Sequence, residues 1–493
     1  MGDRQMTRGT IAVVFVVLIS VLMLAQLALG CSLAVLTLCA ATIAVCFVPA
    51  FIYRFDLYGL LNIVLGIRYV VFPLAAKTLY GQSLDEHLVY PLEAFSLTLC
   101  ILSAETVVIY TVRFFDHGAS IVSLKEQSSE LLSTKNLALG LGIAAYIGLA
   151  AVKPTSAQTA GTGLFVVFAA LAKLFVLGLI MQTRDGAQRF GRDGFLTIGL
   201  FAALAFEFLT SLVLNYREGL LSALLGVLLT SYYCRAIRLR HVIVGAIFVS
   251  LFGFLISPLT LYLRTKKENM PIAEFAELAL TTAMRAAVDA EFLQSLSSQN
   301  DSSLARIKQE NIVGYDYYRL GSRSNVLNRL SFVALVDWAY TGMAGRAPLG
   351  MRVLEESLQR VTPSFIWPDK KAMNYGIGDF IAWNTGQLHV GNSAFLNYSL
   401  AMEGFASYGL VGLFIYPFLF MLPLLFVLSR IASFRNVSVV SIFLFSIYQH
   451  VFVESTTEVL LAELTRGIPF FFLALIVLQG LRSVNLVKAL KHG

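Results

Sequence analysis

The stretch from Ser32 to Ile52, SLAVLTLCAATIAVCFVPAFI, contains no charged residue, and its reading decides the fold class. A helix of about 20 residues spans roughly the 30 Å of a bilayer's hydrocarbon core, where every backbone polar group must be satisfied within the segment. The stretch is therefore predicted to cross a membrane. Comparable runs begin near Thr10, Leu57, Ala94, Leu137, Gly163, Phe195, Leu220, His241, Phe405, Val437 and Ile468. Together they give about twelve helices. The composition agrees, with 57% hydrophobic and 14% charged residues over 493 positions and a mean hydropathy of +0.74. That is far too apolar for a water-soluble chain, and the expected fold class is an all-α polytopic membrane protein.

Basic residues set the expected orientation. Arg4 and Arg8, Arg54, Arg113 with Lys125 and Lys135, Arg184 with Arg189 and Arg192, Arg235 with Arg238 and Arg240, Arg430 with Arg435, and Lys488 with Lys491 occupy every second connection. Short basic connections stay in the cytoplasm, so both termini are expected there. The formal net charge of +7 is mostly this topological signal and gives no reason to expect nucleic-acid binding. The first run, after Arg4 and Arg8, has the outline of a signal peptide, but a second run follows at once and no small-x-small cleavage site is present. It is expected to remain as the first helix. The five cysteines, Cys31, Cys39, Cys46, Cys100 and Cys234, lie in or beside apolar runs and suggest neither a disulfide framework nor a cysteine-ligated metal.

No internal repeat divides the chain, so residues 1–493 read as one membrane domain. Helices one to nine are expected over 10–263, a long extracytoplasmic segment over 264–404, and helices ten to twelve over 405–487. Long segments translocate largely regardless of charge, so the arginines between Arg285 and Arg360 are compatible with an outside location. A transporter can keep its connections short; an enzyme acting on substrates beyond the bilayer needs polar surface there. Within the segment, Met270–Gln294 patterns as an amphipathic helix on the membrane surface, with Ile272, Phe275, Leu278, Ala279, Ala286, Phe292 and Leu293 on one stripe. Asn325–Tyr340 and Gly350–Val361 also pattern as helices, and Thr362–Gly391, punctuated by Pro and Gly, as loop.

Several residues have the chemistry to hold a phosphorylated lipid or move a proton. Arg217, in Asn215-Tyr216-Arg217-Glu218-Gly219, stands where a span begins, and a helix N-terminus favours anions; an interfacial Arg snorkelling to headgroups is the competing reading. Arg319, Arg323 and Arg329 follow Tyr317 and Tyr318, and guanidinium groups hold a diphosphate bidentately, although a solvated charged face has the same pattern. Lys370 and Lys371, after Trp367-Pro368-Asp369, invite the same argument. Arg68, Lys173, Glu105 and Glu207 fall inside apolar runs, so each must be paired or line a cavity, and Arg68 is the better functional candidate. His450, Glu454 and Glu458, spaced four apart, read as a polar helix mouth with too few nitrogen ligands for zinc. His389 and Asp379 are candidates for a general base. HExxH, P-loop and Gly-x-Ser-x-Gly patterns are absent, and Asp289-Ala290-Glu291 sits on the amphipathic helix, which disfavours a metal-dependent sugar transferase. Neither metal nor cofactor is expected.

Three stretches carry a resemblance. Asn215-Tyr216-Arg217-Glu218-Gly219-Leu220-Leu221 is similar to a Ser-Arg-Gly followed by a leucine-rich span, with Tyr for Ser and Glu before the Gly. Val361-Thr362-Pro363-Ser364-Phe365-Ile366-Trp367-Pro368-Asp369-Lys370 is similar to a Val-Pro-Arg-x-x-Trp-Pro-x-Lys-Pro loop, with Ser364 for the Arg. His389-Val390-Gly391-Asn392-Ser393 and Glu403-Gly404-Phe405-Ala406-Ser407-Tyr408-Gly409-Leu410-Val411-Gly412 resemble the stretch leading into a late span. In these features the chain resembles the O-antigen and exopolysaccharide repeat-unit polymerases of the O-antigen polymerase and ligase superfamily. The resemblance implies a metal-independent glycan transfer from an undecaprenyl diphosphate carrier at the outer face of the bacterial cytoplasmic membrane. Its implied partners are the undecaprenyl-diphosphate-linked oligosaccharide, membrane lipids, and a chain-length regulator and flippase of the same pathway. Arg217, Arg68, Arg319, Arg323, Arg329, Lys370, Lys371 and Trp367 are then the expected substrate contacts. His389, Asp379, Asp369 and Glu403 compete for the role of base. A ligase-like transferase and a lipid-linked oligosaccharide flippase remain as alternatives.

Overall fold

The computed structural model describes residues 8–53, 55–122, 128–152, 163–191, 196–214, 217–236, 272–289, 291–296, 316–319, 327–328, 330–362, 366–367, 375–391, 397–454, 456–478 and 480, with 259, 262, 263, 266 and 270. Regular structure among them is helical. The helices are α1 (Arg8–Ala28), α2 (Leu33–Ile52), α3 (Leu57–Leu79), α4 (Pro91–Phe115), α5 (Ser128–Val152), α6 (Gly163–Phe190), α7 (Ile198–Val213) and α8 (Arg217–Tyr233). Four shorter ones follow, α9 (Ile272–Val288), α10 (Phe332–Met343), α11 (Arg352–Val361) and α12 (Ile377–Asn384). The last three are α13 (Leu400–Ile431), α14 (Val439–Glu454) and α15 (Thr457–Leu478). Seven helices among the described residues are long and apolar enough to cross a membrane, and Ala12–Ala28, α7, Gly219–Tyr233 and α14 are shorter apolar helices. This is a multi-pass membrane protein. The span expected from His241 lies outside the described residues.

Three boundaries differ from expectation. Thr362–Gly391, read as loop, contains α12, where Ile377, Ile381 and Ala382 are buried against the bundle. The last span begins at Thr457 rather than near Ile468, because Thr456 caps it by accepting the Val459 N–H. The tenth expected span starts at Leu400 rather than Phe405, and it is not continuous.

Inside α13, Tyr408 (φ −140°, ψ 20°) and Gly409 (φ 63°, ψ −145°) leave helical geometry. Gly409 occupies a backbone region that side-chain-bearing residues essentially avoid. The chain reverses there, so that residues 400–407 fold back on 410–416, and a Cβ on Gly404 would overlap the Gly412 carbonyl. The break strips the Ala406 and Ser407 carbonyls of their helical partners, and such groups must be satisfied elsewhere. Leu349 and Gly350 donate their N–H groups to these two carbonyls, each at 2.9 Å. Residues 349–350 of the long intervening segment are thereby pinned to a membrane helix.

Two further anchors hold that segment on the bundle. Asp337 of α10 accepts the N–H groups of Val89 (2.9 Å) and Tyr90 (2.7 Å), capping the start of α4 from another element. Burial raises the Asp337 carboxyl above its ordinary range, and these two N–H donors pull against that rise. Lys77, fully buried near the end of α3, donates to the Tyr317 carbonyl at 2.7 Å and lies 4.1 Å from the Tyr317 ring centroid. At the other end of the bundle, the buried Asp116 carboxylate accepts from Tyr58 Oη (2.9 Å), Ser433 Oγ (2.9 Å) and the Phe434 N–H (3.1 Å). It ties α3, α4 and the turn after α13 into one unit.

Candidate active site

Charged side chains converge where α3, α11, α14, α15 and the folded-back residues 400–407 meet. Arg68 lies on a π-helical turn, Ile67–Val71, that widens α3. Such turns are rare and concentrate at functional sites. The Arg68 guanidinium pairs with Glu454 at the end of α14 and lies 4.9 Å from the Phe332 ring centroid. The pair is only partly enclosed, with the Arg68 side chain 20% and Glu454 41% exposed.

Arg360 approaches from the intervening segment. Its helix, α11, presents Val353, Ser357 and Val361 to the interior, and the last turn brings the guanidinium to Glu458, at 3.5 Å, near the start of α15. Glu356, one turn back, lies 3.6 Å away, and the Tyr375 carbonyl accepts from Nη1. The Tyr375 ring lies 4.5 Å beneath the guanidinium carbon and itself leans on Trp383, centroids 4.4 Å apart. With 7% exposure the Arg360 side chain is largely desolvated. Burial pushes the Tyr375 phenol above its ordinary value, helped by the Glu356 carboxylate that accepts its O–H at 2.6 Å.

Glu403 completes the group. It is fully buried, and its Oε2 accepts the Thr457 N–H at 2.7 Å. The Thr457 side chain also interacts with this carboxylate, and Arg360 and Glu458 lie within electrostatic reach. Deeper in the bundle, Lys173 of α6 faces Glu463 at 3.5 Å and the Tyr448 ring at 4.8 Å. Glu463 stands on a second π-helical turn, Glu463–Gly467, and His450 lies within electrostatic reach of Lys173 and Arg68.

The structure gathers some of the expected residues and separates others. Arg68 and Glu403 belong to the cluster, as do Glu454 and Glu458, which are expected on one helix with His450 but stand on two, α14 and α15. Lys173 is in an interhelical ion pair, and Glu207 accepts the Tyr146 hydroxyl at 2.8 Å. Asp379 is fully buried, and its carboxylate accepts the Gly376 N–H at 3.0 Å, satisfying the start of its own helix. His389 is exposed on the turn after α12, and Trp367 is 42% exposed. Arg319 is exposed with φ of +49°, and Tyr317 and Tyr318 beside it are buried. Arg217 opens α8. The Arg217 side chain lies outside the described residues, and so do Asp369, Arg323, Arg329, Lys370 and Lys371.

Sequence reasoning missed Arg360, Glu356, Tyr375 and Glu463. Glu356 and Arg360 form an i,i+4 pair on a short amphipathic helix, a pattern that ordinarily marks a solvated face. Compared with known protein families, with characterised proteins and with solved structures, the chain finds no match.

Proposed function

We propose that this protein is a membrane glycosyltransferase that polymerises lipid-linked oligosaccharide repeat units into a bacterial surface polysaccharide. In this reading the chain crosses the cytoplasmic membrane about twelve times, both termini are cytoplasmic, and the segment 264–404 lies at the outer face. The observation that carries it is the convergence of Arg68 and Arg360, one from a span and one from the long segment, on carboxylates of two successive late helices, Glu454 of α14 and Glu458 of α15. A guanidinium held by a carboxylate at a partly open site can exchange that partner for a phosphate while keeping its charge.

The chemistry asks little of the protein. The acceptor sugar's hydroxyl oxygen attacks the anomeric carbon of the growing chain, the bond from that carbon to the diphosphate oxygen breaks, and the lipid diphosphate departs with the electron pair. Arg68 and Arg360 stabilise the charge that develops on it. The acceptor's proton passes to a carboxylate, and Glu403, buried within electrostatic reach of Arg360 and Glu458, is the base we assign. Arg217, Arg323, Arg329, Lys370, Lys371 and Trp367 remain proposed contacts for the carrier and glycan on sequence grounds.

The Lys173–Glu463 pair, set among apolar spans beside a π-helical turn, favours a second reading, a transporter of lipid-linked oligosaccharide. Reconstitution separates the two. Purified protein in detergent micelles, given undecaprenyl-diphosphate-linked repeat units, should lengthen them with no membrane to cross. Repeat units that stay single in the presence of active, folded protein would remove the polymerase reading.

A further inference from the structure

Just past the end of α12, Trp338, Thr341, Gly342, Arg346, Thr385, Gly386 and Gln387 line a surface pocket of about 240 Å³. Trp383 of α12 supports Tyr375 beneath Arg360, and the pocket begins two residues later at Thr385. Its walls are fixed. Gln387 donates from Nε2 to the Trp338 carbonyl at 2.5 Å, and its Oε1 accepts from Thr385 Oγ1 (3.1 Å) and Tyr398 Oη (2.9 Å). Trp338 stacks on Tyr398 with ring planes 9° apart. Two glycines keep the space open. A Cβ on Gly342 would strike the Gln387 amide, and one on Gly386, where φ is +70°, would sit 3.0 Å from the Arg346 guanidinium.

Among the described residues Arg346 is the only charged one in the lining, and it is exposed. Among the described residues its guanidinium has a single hydrogen bond, to the Asn384 carbonyl at a long 3.5 Å. The Thr341 hydroxyl donates to the Asp337 carbonyl at 2.8 Å and keeps its acceptor lone pairs. Pockets for drug-sized ligands run from about 300 to 1,000 Å³, so this one suits a single sugar ring. One planar guanidinium matches one planar carboxylate, whereas a phosphate carrying up to two charges calls for more donors than the described lining residues provide. We infer that this pocket is a subsite for an acidic sugar, whose carboxylate pairs with Arg346 while a ring hydroxyl donates to Thr341. The inference rests on the proposed function for the kind of ligand, and it makes the growing glycan one that carries uronate-type residues.

The test is equilibrium binding to the purified full-length chain, read by tryptophan fluorescence and by calorimetry, with sodium glucuronate, glucose and inorganic phosphate as probes. Saturable glucuronate binding, with glucose and phosphate weaker by about tenfold or more, is expected. Arg346→Ala should remove most of that preference. Arg346→Lys, which keeps the charge without the planar fork, should fall between. Glucose binding as tightly as glucuronate, phosphate binding in its place, or glucuronate binding unchanged in Arg346→Ala would each overturn the assignment. Because binding is measured without glycan transfer, failure here leaves the polymerase reading untouched, and failed transfer leaves this result standing.

Discussion

Arg360 and Glu458 lie 98 positions apart in sequence and 3.5 Å apart in space, joining the long intervening segment to the last membrane helix. The contact brings a cation from a helix that does not itself cross the membrane to the edge of a cluster that already holds Arg68, Glu454 and Glu403. A segment that merely covered the bundle would have no reason to place a desolvated guanidinium there.

Arg68 gives the cleaner test of that cluster. Its partner Glu454 is 41% exposed, so the pair should contribute little to stability, on the order of 1 kcal/mol or less. Arg68→Ala should therefore leave protein yield and melting temperature nearly unchanged while polymer formation falls by about two to three orders of magnitude. Normal polymer length and yield in that variant would exclude Arg68 from the reaction.

Arg360 behaves differently because it is buried between two carboxylates. Removing one partner of a buried ion pair costs about 3 to 5 kcal/mol, since the other charges are left desolvated and unpaired. Arg360→Ala is expected to lower both stability and activity, and Arg360→Lys to restore folding with little recovery of transfer. Full activity in the Lys variant would show that any cation suffices.

Glu403→Gln keeps an acceptor for the Thr457 N–H but cannot take a proton at neutral pH. Melting temperature should change by no more than a few degrees, while the chemical step slows by about two orders of magnitude or more. An unaltered turnover number would assign the base elsewhere.

The reversal at Gly409 tests the fold. A Cβ there meets no atom within 4 Å, so Gly409→Ala isolates the backbone term at φ +63°, about 1 to 3 kcal/mol of destabilisation. Gly404→Ala adds a clash with the Gly412 backbone and should be the more damaging of the two. Thermal unfolding in lipid nanodiscs ranks them, and equal melting temperatures for Gly404→Ala and the parent would contradict the folded-back geometry.

Asp85 supplies a pH dependence. Burial raises its pKa, but hydrogen bonds from the Ser83 hydroxyl and the Ser32 N–H outweigh that effect and hold the carboxyl below its ordinary value. A depressed folded pKa means that the stabilisation is complete above the unfolded value, about 3.9, and is lost as pH falls through the folded value. Asp85→Asn should melt lower than the parent at pH 6, and the gap should close as acid is added below pH ~4. A gap that stays constant on acidification would mean the carboxylate charge is not what Ser32 and Ser83 hold.

Much of the architecture was legible because it rests on one-dimensional signals. The uncharged run from Ser32 to Ile52 needs no tertiary information to be read as a helix in an apolar solvent. Arg68 was legible for the related reason that a charge inside an apolar run must have a partner, whereas Glu403 entered only through the family resemblance. α12 was hidden because Gly376 stands where Ser or Thr usually caps a helix, although Asp379 three residues on satisfies the same N–H. Arg360 was hidden because its i,i+4 partner Glu356 explains it locally, and only the tertiary fold brings Glu458 to the same guanidinium. The reversal at Gly409 turns on a single left-handed residue, and an apolar run with one glycine does not betray it.

The most direct measurement is mass spectrometry of undecaprenyl-linked glycans in cells lacking this protein, with the two faces of the membrane analysed separately. The polymerase account predicts single repeat units accumulating on the outer face, still attached to their carrier. Finished long chains on the carrier, or repeat units trapped on the cytoplasmic face, would contradict it.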